Sequence, residues 1–327
     1  MSLIEIRDLS VEIGPQNPRI KKRGIPILKQ IDLSMEQGEV LGLVGESGCG
    51  KTMTVLALMG LLPQRGRITE GNISFMGQDL ISLPQKEMSL IRGRHISMIF
   101  QEPMSSLDPL MTIGEQLREV LVRHEGLKGR ANKEKCLRLL QAVNIPEPEK
   151  IYNCPPFKLS GGMCQRVMIA MALSCEPELI IADEPTTALD VTTQAQILDT
   201  FNELRHRTRC SFIFVTHDLG IIAEIADRTA IIYAGYVVEE CSVEVLFRAP
   251  LHPYTDGLMR SRMGRRNVNQ GELYSIPGVV PAPGDMPSGC PFAPRCGFVE
   301  ERCRREIPPL EMVEEGHKVR CWRQVPL

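Results

Sequence analysis

A glycine-rich stretch of the chain carries the pattern that binds nucleotide phosphates. It fits the spacing G-x4-G-K-[ST] and consists of Gly45, Glu46, Ser47, Gly48, Cys49, Gly50, Lys51 and Thr52. Glycines let backbone N–H groups converge on phosphate oxygens, and a helix that begins here points its positive end at them. Lys51 can reach the β- and γ-phosphates, and the Thr52 hydroxyl can bind Mg²⁺. The stretch predicts a site for a nucleoside triphosphate.

Two acidic residues, Asp183 and Glu184, follow the apolar run 179–182. An acidic pair at the end of a buried strand is costly unless it faces a cation or a reacting water. Asp183 would then contribute to the magnesium site, and Glu184 would polarise the water that attacks the γ-phosphate. Together with the glycine loop, the pair predicts a nucleotide hydrolase.

Gln101 and His217 each follow an apolar, strand-like run, at 96–100 and 212–216. Ligands of α/β sheets bind at the carboxyl ends of the strands, so both residues fall where the nucleotide should lie. We expect Gln101 to contact magnesium or the attacking water. We expect His217 to sense the γ-phosphate.

A second glycine pair follows Leu159 and opens a helix, with Ser160 before Gly161 and Gly162. Ser160 can cap that helix, whose N-terminus is a further device for binding phosphate. A single chain has no second triphosphate for it. We therefore expect this turn to clamp the γ-phosphate bound to a partner chain.

The elements that position these residues follow from hydrophobic periodicity. Alternation predicts half-buried antiparallel strands at 3–13 and 27–35, separated by an exposed loop from Gly14 to Gly24, and an edge strand at 72–76. Apolar runs predict buried parallel strands at 40–44, 179–182 and 212–215, and a hairpin is predicted at 229–240. Helical spacing predicts an inserted helical subdomain at about 103–178. The fold class is α/β, with a mixed-sheet core, an antiparallel β subdomain and a domain boundary near residue 250.

Composition narrows the class of protein. The 327 residues are 43% hydrophobic and 24% charged with a formal charge of −2, which does not favour a nucleic-acid partner. No run approaches the roughly 18 apolar residues that span a bilayer, and the first residues lack a signal-peptide pattern. We expect a cytoplasmic protein that reaches a membrane through partners.

Four of the eleven cysteines lie in the proline-rich segment 251–327, at Cys290, Cys296, Cys303 and Cys321. A small loop-rich tail needs a covalent or metal cross-link to fold, and a cytoplasmic location argues against disulfides. Four thiolates suit an iron–sulfur cluster or zinc, although the close pairs of most zinc sites are missing. Unligated thiols are the third alternative. The other seven cysteines are interpreted as free, half-buried thiols.

The nucleotide-binding motifs described above, in the order in which they occur along the chain, resemble the ATPase of an ABC transporter. The resemblance covers residues 1–250: the phosphate loop, the glutamine loop at Gln101, the signature at 159–163, the acidic pair, the D-loop ending at Asp190, and the switch histidine, His217. The segments 101–109, 180–190, 252–255 and 290–296 further resemble ATPase subunits of bacterial dipeptide, oligopeptide and nickel importers.

The resemblance implies ATP and Mg²⁺ as ligands and an ATP-driven dimer as the working form. It also implies two permeases docked near residues 100–115, an external solute-binding protein, and attachment to the cytoplasmic face of the inner membrane. Family practice favours a second ATPase that is a different chain. The resemblance implies peptides as cargo, with nickel or another metal chelate as the alternative, and a [4Fe–4S] cluster on the four tail cysteines.

Two features depart from the ABC pattern. Such ATPases usually stack adenine on an aromatic residue between the first two strands, whereas the first aromatic residue here is Phe75. Adenine would instead contact a residue such as Ile13, Arg19, Ile20 or Ile25. Cys164 also stands on the signature helix where relatives commonly have a basic residue, and we expect it to weaken a phosphate-facing charge.

Three other classes of protein fit the sequence less well. A soluble ABC ATPase acting on ribosomes or DNA would carry two cassettes or a long coiled coil, and a basic surface. A P-loop kinase would lack the signature and His217. The reading as a docking subunit with an inactive site is opposed by four intact residues, Lys51, Asp183, Glu184 and His217.

Overall fold

The computed structural model describes residues 2–14, 24–187, 189–262 and 274–324. The chain divides into two compact units, one formed by residues up to Ser82 and from Thr216 onward, the other by Leu83–Val215. Strands and helices are numbered along the chain. In the described ranges no helix has both the length and the apolar content needed to cross a bilayer.

The first unit contains an antiparallel sheet built from the alternating segments near the N-terminus. Its strand order is β2-β1-β4-β5, with bounds β1 Ser2–Ile13, β2 Ile25–Glu36, β4 Gly66–Phe75 and β5 Gln78–Asp79. The predicted pair of strands is confirmed. The edge position predicted for 72–76 is wrong, because β4 pairs with β1 on one side and β5 on the other. The exposed loop predicted at Gly14–Gly24 falls mostly outside the described residues.

A second set of strands in this unit carries the phosphate loop. Its order is β11-β12-β10-β9-β3, with bounds β3 Val40–Val44, β9 Arg228–Tyr233, β10 Tyr236–Ser242, β11 Glu311–Glu314 and β12 His317–Val319. β3 and β9 are parallel, and the remaining pairs are antiparallel, so the arrangement is mixed. The helices of the unit are α1 Lys51–Leu58, α9 Leu219–Ile225, α10 Val243–Arg248, α11 Pro253–Arg262 and α12 Glu301–Arg305.

The second unit contains parallel strands that end at the predicted catalytic residues. They are β6 Ile96–Ile99, β7 Leu179–Asp183 and β8 Ser211–Thr216, in the order β8-β7-β6. β7 and β8 are buried along their whole length, as their continuous apolar sequences require. Phe201 packs edge-on against Phe214 of β8 with ring centroids 4.8 Å apart, which fixes a long helix over the strands.

The helices of the second unit lie before, within and after the segment 103–178 for which a helical subdomain was predicted. They are α2 Gln85–Ile91, α3 Pro103–Ser106, α4 Ile113–Glu125, α5 Gly129–Ala142, α6 Pro148–Tyr152, α7 Gly161–Leu173 and α8 Val191–Arg207. α4 begins with a capping box, in which the Thr112 side chain accepts from the Glu115 N–H and the Glu115 carboxylate accepts from the Thr112 N–H. It ends at Gly126, whose left-handed φ of 67° terminates the helix.

Candidate active site

The phosphate loop joins β3 to α1 and bends where only glycine fits. A Cβ on Gly45 would lie 2.2 Å from the carbonyl oxygen of Ile232, and one on Gly50 would lie 2.7 Å from a methyl carbon of Leu28. Gly50 also has φ of 112°, in the left-handed region. α1 begins after Gly50 without a side-chain cap. The loop backbone supplies the N–H groups at this helix start.

The charged side chains of the loop are anchored within the first unit. Lys51 is 5% exposed, and its Nζ donates to the carbonyl oxygens of Gly45 at 2.7 Å and Glu46 at 3.1 Å. Thr52, Ser47 and Gly48 are exposed. A lysine ammonium and a threonine hydroxyl are the groups with which a phosphate-binding loop contacts phosphate and Mg²⁺.

Gln101 and Glu184, the two residues at strand ends that are predicted to contact the attacking water, lie together in the second unit. Gln101 Nε2 donates to Glu184 Oε2 at 3.1 Å, and Thr187 Oγ1 donates to the same oxygen at 2.8 Å. Glu184 has φ of 48°, and its N–H donates to the carbonyl of Val215. Left-handed backbone at a non-glycine residue is strained and is concentrated at functional sites. Sequence reasoning missed Thr187, although a threonine three residues after the glutamate is a local signal.

Asp183 and His217 lie at the ends of their predicted strands. Asp183 is the last residue of β7 and is 3% exposed. His217 is exposed and directly follows β8, and Asp218 then caps α9 by accepting from the Gly220 N–H at 2.6 Å. His217 and the phosphate loop belong to the first unit, whereas Gln101, Asp183 and Glu184 belong to the second.

The signature turn begins α7 through a side-chain cap. Ser160 Oγ accepts from the Met163 N–H at 3.3 Å, and Ser160 and Gly161 are exposed. A Cβ on Gly162 would lie 2.5 Å from a methyl carbon of Thr193, so this glycine permits α7 to approach the first turn of α8. Asp190 caps α8 by accepting from both the N–H and the hydroxyl of Thr193, at 2.9 and 2.6 Å. The signature and the D-loop aspartate therefore meet at one helix contact.

One prediction about an individual residue is wrong, and the prediction for adenine stays a prediction. Cys164 is fully buried, with Sγ 3.4 Å from the Met104 sulfur, so the prediction that it alters a phosphate-facing charge is wrong. Among the residues named for adenine, Arg19 and Ile20 lie outside the described residues. Ile13 and Ile25 pair in register across β1 and β2, and Ile25 is 49% exposed.

The four cysteines of the C-terminal segment line one small cavity. His252, Phe292 and Trp322 share its walls. Burial, together with the neighbouring thiols of Cys303 and Cys321, raises the pKa of Cys290 to about 11. Such mutual repulsion between thiolates is relieved by a cation.

The walls of this cavity fit a sulfur-rich group. Trp322 Nε1 is buried and has no hydrogen-bond acceptor among the described residues. Burial lowers the pKa of His252 to about 4, so the ring is neutral. Its Nδ1 accepts from the Tyr254 N–H at 3.1 Å, which leaves the ring proton on Nε2. Nitrogen donors beside thiolates are the surroundings that stabilise cluster sulfurs.

A second group of metal-ligand types, Glu239, Cys241 and His317, is buried in the same unit. Its hydrogen bonds are already made: the Glu239 carboxylate accepts from the N–H groups of Leu251 and His252 and lies 2.8 Å from His317 Nε2. A ring nitrogen that donates to a carboxylate has no lone pair for a metal. We interpret this cluster as a structural cap for the start of α11.

The glycine loop with its buried lysine and the Gln101–Glu184 pair at strand ends define a P-loop nucleotide hydrolase. Sequence comparison then identifies its family. Residues 28–187 match the family described as ABC transporter, and residues 238–303 match the family described as oligopeptide/dipeptide transporter, C-terminal region.

Full-length relatives extend this match. The chain is 47% identical over 306 residues to the oligopeptide transport ATP-binding protein AppD of Bacillus subtilis, covering 92% of each chain. It is 45% identical over 321 residues to the dipeptide transport ATP-binding protein DppD of Haemophilus influenzae, covering 98% of this chain and 95% of the relative. The chain belongs to the family of ABC transporter ATP-binding subunits, and its reaction is ATP hydrolysis.

Solved structures show the same fold. A dimeric structure of a post-hydrolysis state of the ATP-binding cassette MJ0796, bound to ADP and Pi, matches with a TM-score of 0.65 at 27% identity. The match covers 73% of this chain and 98% of that one. The α/β fold with mixed and antiparallel sheets, predicted from sequence, is confirmed.

Proposed function

We propose that this chain is the ATP-hydrolysing subunit of an importer that carries di- and oligopeptides across the cytoplasmic membrane. The observation that carries the proposal is the match of one chain to both the ABC transporter family and the oligopeptide/dipeptide transporter C-terminal region. The relatives at 45–47% identity are named for dipeptide and oligopeptide transport. These names favour peptides over the nickel or metal-chelate alternative.

In the proposed site, the 45–52 loop binds the triphosphate and Lys51 neutralises its β- and γ-oxygens. Thr52, Gln101 and Asp183 ligate Mg²⁺. Glu184, held by Gln101 and Thr187, accepts the proton of the attacking water while the bond from the γ-phosphorus to the ADP oxygen breaks. His217 contacts the γ-phosphate. Fixed N–H groups and cations supply most of the stabilisation of the transition state.

The working unit is a dimer in which each ATP is completed by the partner's signature turn. The exposed Ser160 and Gly161 at the start of α7 support this assignment. We assign the second ATPase position to a different chain, with two permeases and an external binding protein completing the assembly on the cytoplasmic face of the membrane. Residues 1–250 form the ATPase domain, with its helical subdomain at about 103–178, and 251–327 form the extension. The 100–115 region docks the permeases.

Uptake of a radiolabelled tripeptide by cells that produce this protein tests the cargo. Deletion of the chain should abolish uptake, and the wild-type chain should restore it. Glu184→Gln should fail to restore it, because the reaction loses its base and turnover falls about 10²- to 10⁴-fold. Nickel uptake measured in the same strains is the control. Peptide uptake that survives deletion, together with lost nickel uptake, would reverse the cargo assignment.

The extension is proposed to hold a [4Fe–4S] cluster on Cys290, Cys296, Cys303 and Cys321. When bound, the cluster would supply iron–thiolate bonds that cross-link a segment with little apolar core. The shared cavity and the orphaned Trp322 N–H support this assignment.

Anaerobic purification with iron and sulfide analysis tests the cluster. We expect a brown protein with about four irons per chain. Cys296→Ser should lose the colour and lower the melting temperature, whereas the matched control Cys154→Ser, at a half-buried cysteine elsewhere, should change neither. A colourless protein containing zinc would contradict the assignment.

A further inference from the structure

Glu46 of the phosphate loop is held by side chains from the far end of the chain. Arg295 Nη1 donates to Glu46 Oε2 at 2.7 Å, and Arg295 Nη2 donates to Glu46 Oε1 at 3.1 Å. The backbone N–H of Glu46 donates to the hydroxyl of Tyr254 at 2.8 Å. A two-pronged arginine–carboxylate pair fixes orientation as well as distance. Both the side chain and the backbone of Glu46 are therefore fixed by residues of the extension.

Arg295 is built into its position. Its side chain is 3% exposed, and Nε donates to the Pro277 carbonyl at 2.9 Å. The guanidinium lies 5.7 Å from the ring centre of Tyr233 and 5.9 Å from that of Phe292. Burial alone would lower its pKa, but the hydrogen bonds that Arg295 donates to Glu46 and Tyr233 raise the pKa above its ordinary value. Removing the carboxylate partner of a buried guanidinium leaves an unpaired buried charge, which strongly destabilises a protein.

The contact between Arg295 and Glu46 continues to Lys51, the lysine of the phosphate loop. The carbonyl oxygen of Glu46 accepts from Lys51 Nζ at 3.1 Å, so a shift of Glu46 moves one of the lysine's two anchors. On its other side, Arg295 ends the short 3-10 turn Ala293–Arg295, which leads directly into Cys296. Phe292, before this turn, packs 5.5 Å from Tyr254. A residue that lines the cysteine cavity, Phe292, therefore packs directly against a residue that holds the phosphate loop, Tyr254.

We propose that Arg295 is a positioning residue for the phosphate loop, through which the extension sets the affinity of its own chain for ATP. The general loop pattern leaves the position of Glu46 unspecified, so the pattern itself does not require this pair. The proposal rests on the assigned role of the 45–52 loop in binding ATP.

Equilibrium titration of the full-length protein with trinitrophenyl-ATP and Mg²⁺ tests the proposal. Arg295→Met and Glu46→Gln should each raise the Kd about 5- to 20-fold, in the lower part of the ordinary range of coupling between sites. The double variant should bind no more weakly than the weaker single variant, because both changes break one contact. Arg295→Lys, which keeps the charge but not the fork, should fall between. KM for ATP should rise by a similar factor while kcat changes less than threefold.

The controls separate this effect from loss of fold or of the loop itself. Arg305→Met removes an exposed ion pair with Glu301 in the same extension and should leave the Kd unchanged. Melting without nucleotide reports folding, and Glu46→Gln, whose side chain is 33% exposed, still tests the pair if Arg295→Met does not fold. Kd values within twofold of wild type for both single variants, with or without lower melting temperatures, overturn the proposal. Wild-type binding by Lys51→Ala would instead refute the loop assignment.

Discussion

The chain contains two glycine-rich helix starts that use opposite means to present N–H groups. α1 begins at the phosphate loop without a side-chain cap, and contacts reaching 208 and 249 residues along the chain hold the loop. α7 begins at the signature turn, where Ser160 caps its own helix from three residues away and stays exposed. The N-terminus of α1 is held by distant residues of its own unit. The N-terminus of α7 is held by its own capping residue and is exposed, so another molecule can reach it, as a site shared between chains requires.

Of the changes at the two helix starts, replacement of Lys51 at the start of α1 should have the largest effect. Lys51→Ala should abolish measurable ATP binding and lower hydrolysis about 10²- to 10³-fold, because the buried ammonium that is proposed to neutralise the phosphates is gone. Nucleotide titration and phosphate release measure both. The exposed Lys86→Ala is the matched control and should behave as wild type. Full ATP binding by Lys51→Ala would contradict the claim that the loop before α1, and not the turn before α7, binds the nucleotide of this chain.

Replacing the cap of the second start should separate binding from turnover. Ser160→Ala should leave ATP binding to the isolated chain unchanged and lower hydrolysis by the assembled transporter about 10- to 100-fold. The lost cap should also lower the free energy of unfolding by about 1 kcal/mol. Ser160→Thr keeps the oxygen and should retain most activity. Weaker ATP binding by the isolated Ser160→Ala chain would show that the turn serves its own nucleotide.

The glycines of the two starts should differ in stability when changed to alanine. Gly45→Ala places a methyl group against the Ile232 carbonyl and should lower the free energy of unfolding by about 2–4 kcal/mol. Gly161→Ala meets only a Leu189 methyl carbon at 3.9 Å and should change it by less than about 1 kcal/mol, in the stabilising direction. Urea unfolding compares the pair. Equal losses at both positions would contradict the packing described here.

The same contrast explains what sequence could predict. The Ser160 cap, the ends of β6, β7 and β8, and the glycine loop follow from residues within a few positions of one another, and each was predicted. The hold of Arg295 and Tyr254 on Glu46 could not be, because it depends on how segments 249 and 208 residues apart fold together. The burial of Cys164 was missed for a related reason. The residue type at a helix position predicts its surroundings less well than the helix face on which the residue lies.

Trapping nucleotide separately in the two ATPase subunits of the proposed assembly tests the shared site most directly. With vanadate and a photoreactive ATP, each subunit is labelled through its own phosphate loop. Ser160→Ala in this chain should lower labelling of the partner subunit about 10- to 100-fold and leave this chain labelled. Lys51→Ala should abolish labelling of this chain and leave the partner subunit labelled. Loss of label from this chain in Ser160→Ala, with the partner still labelled, would contradict the account.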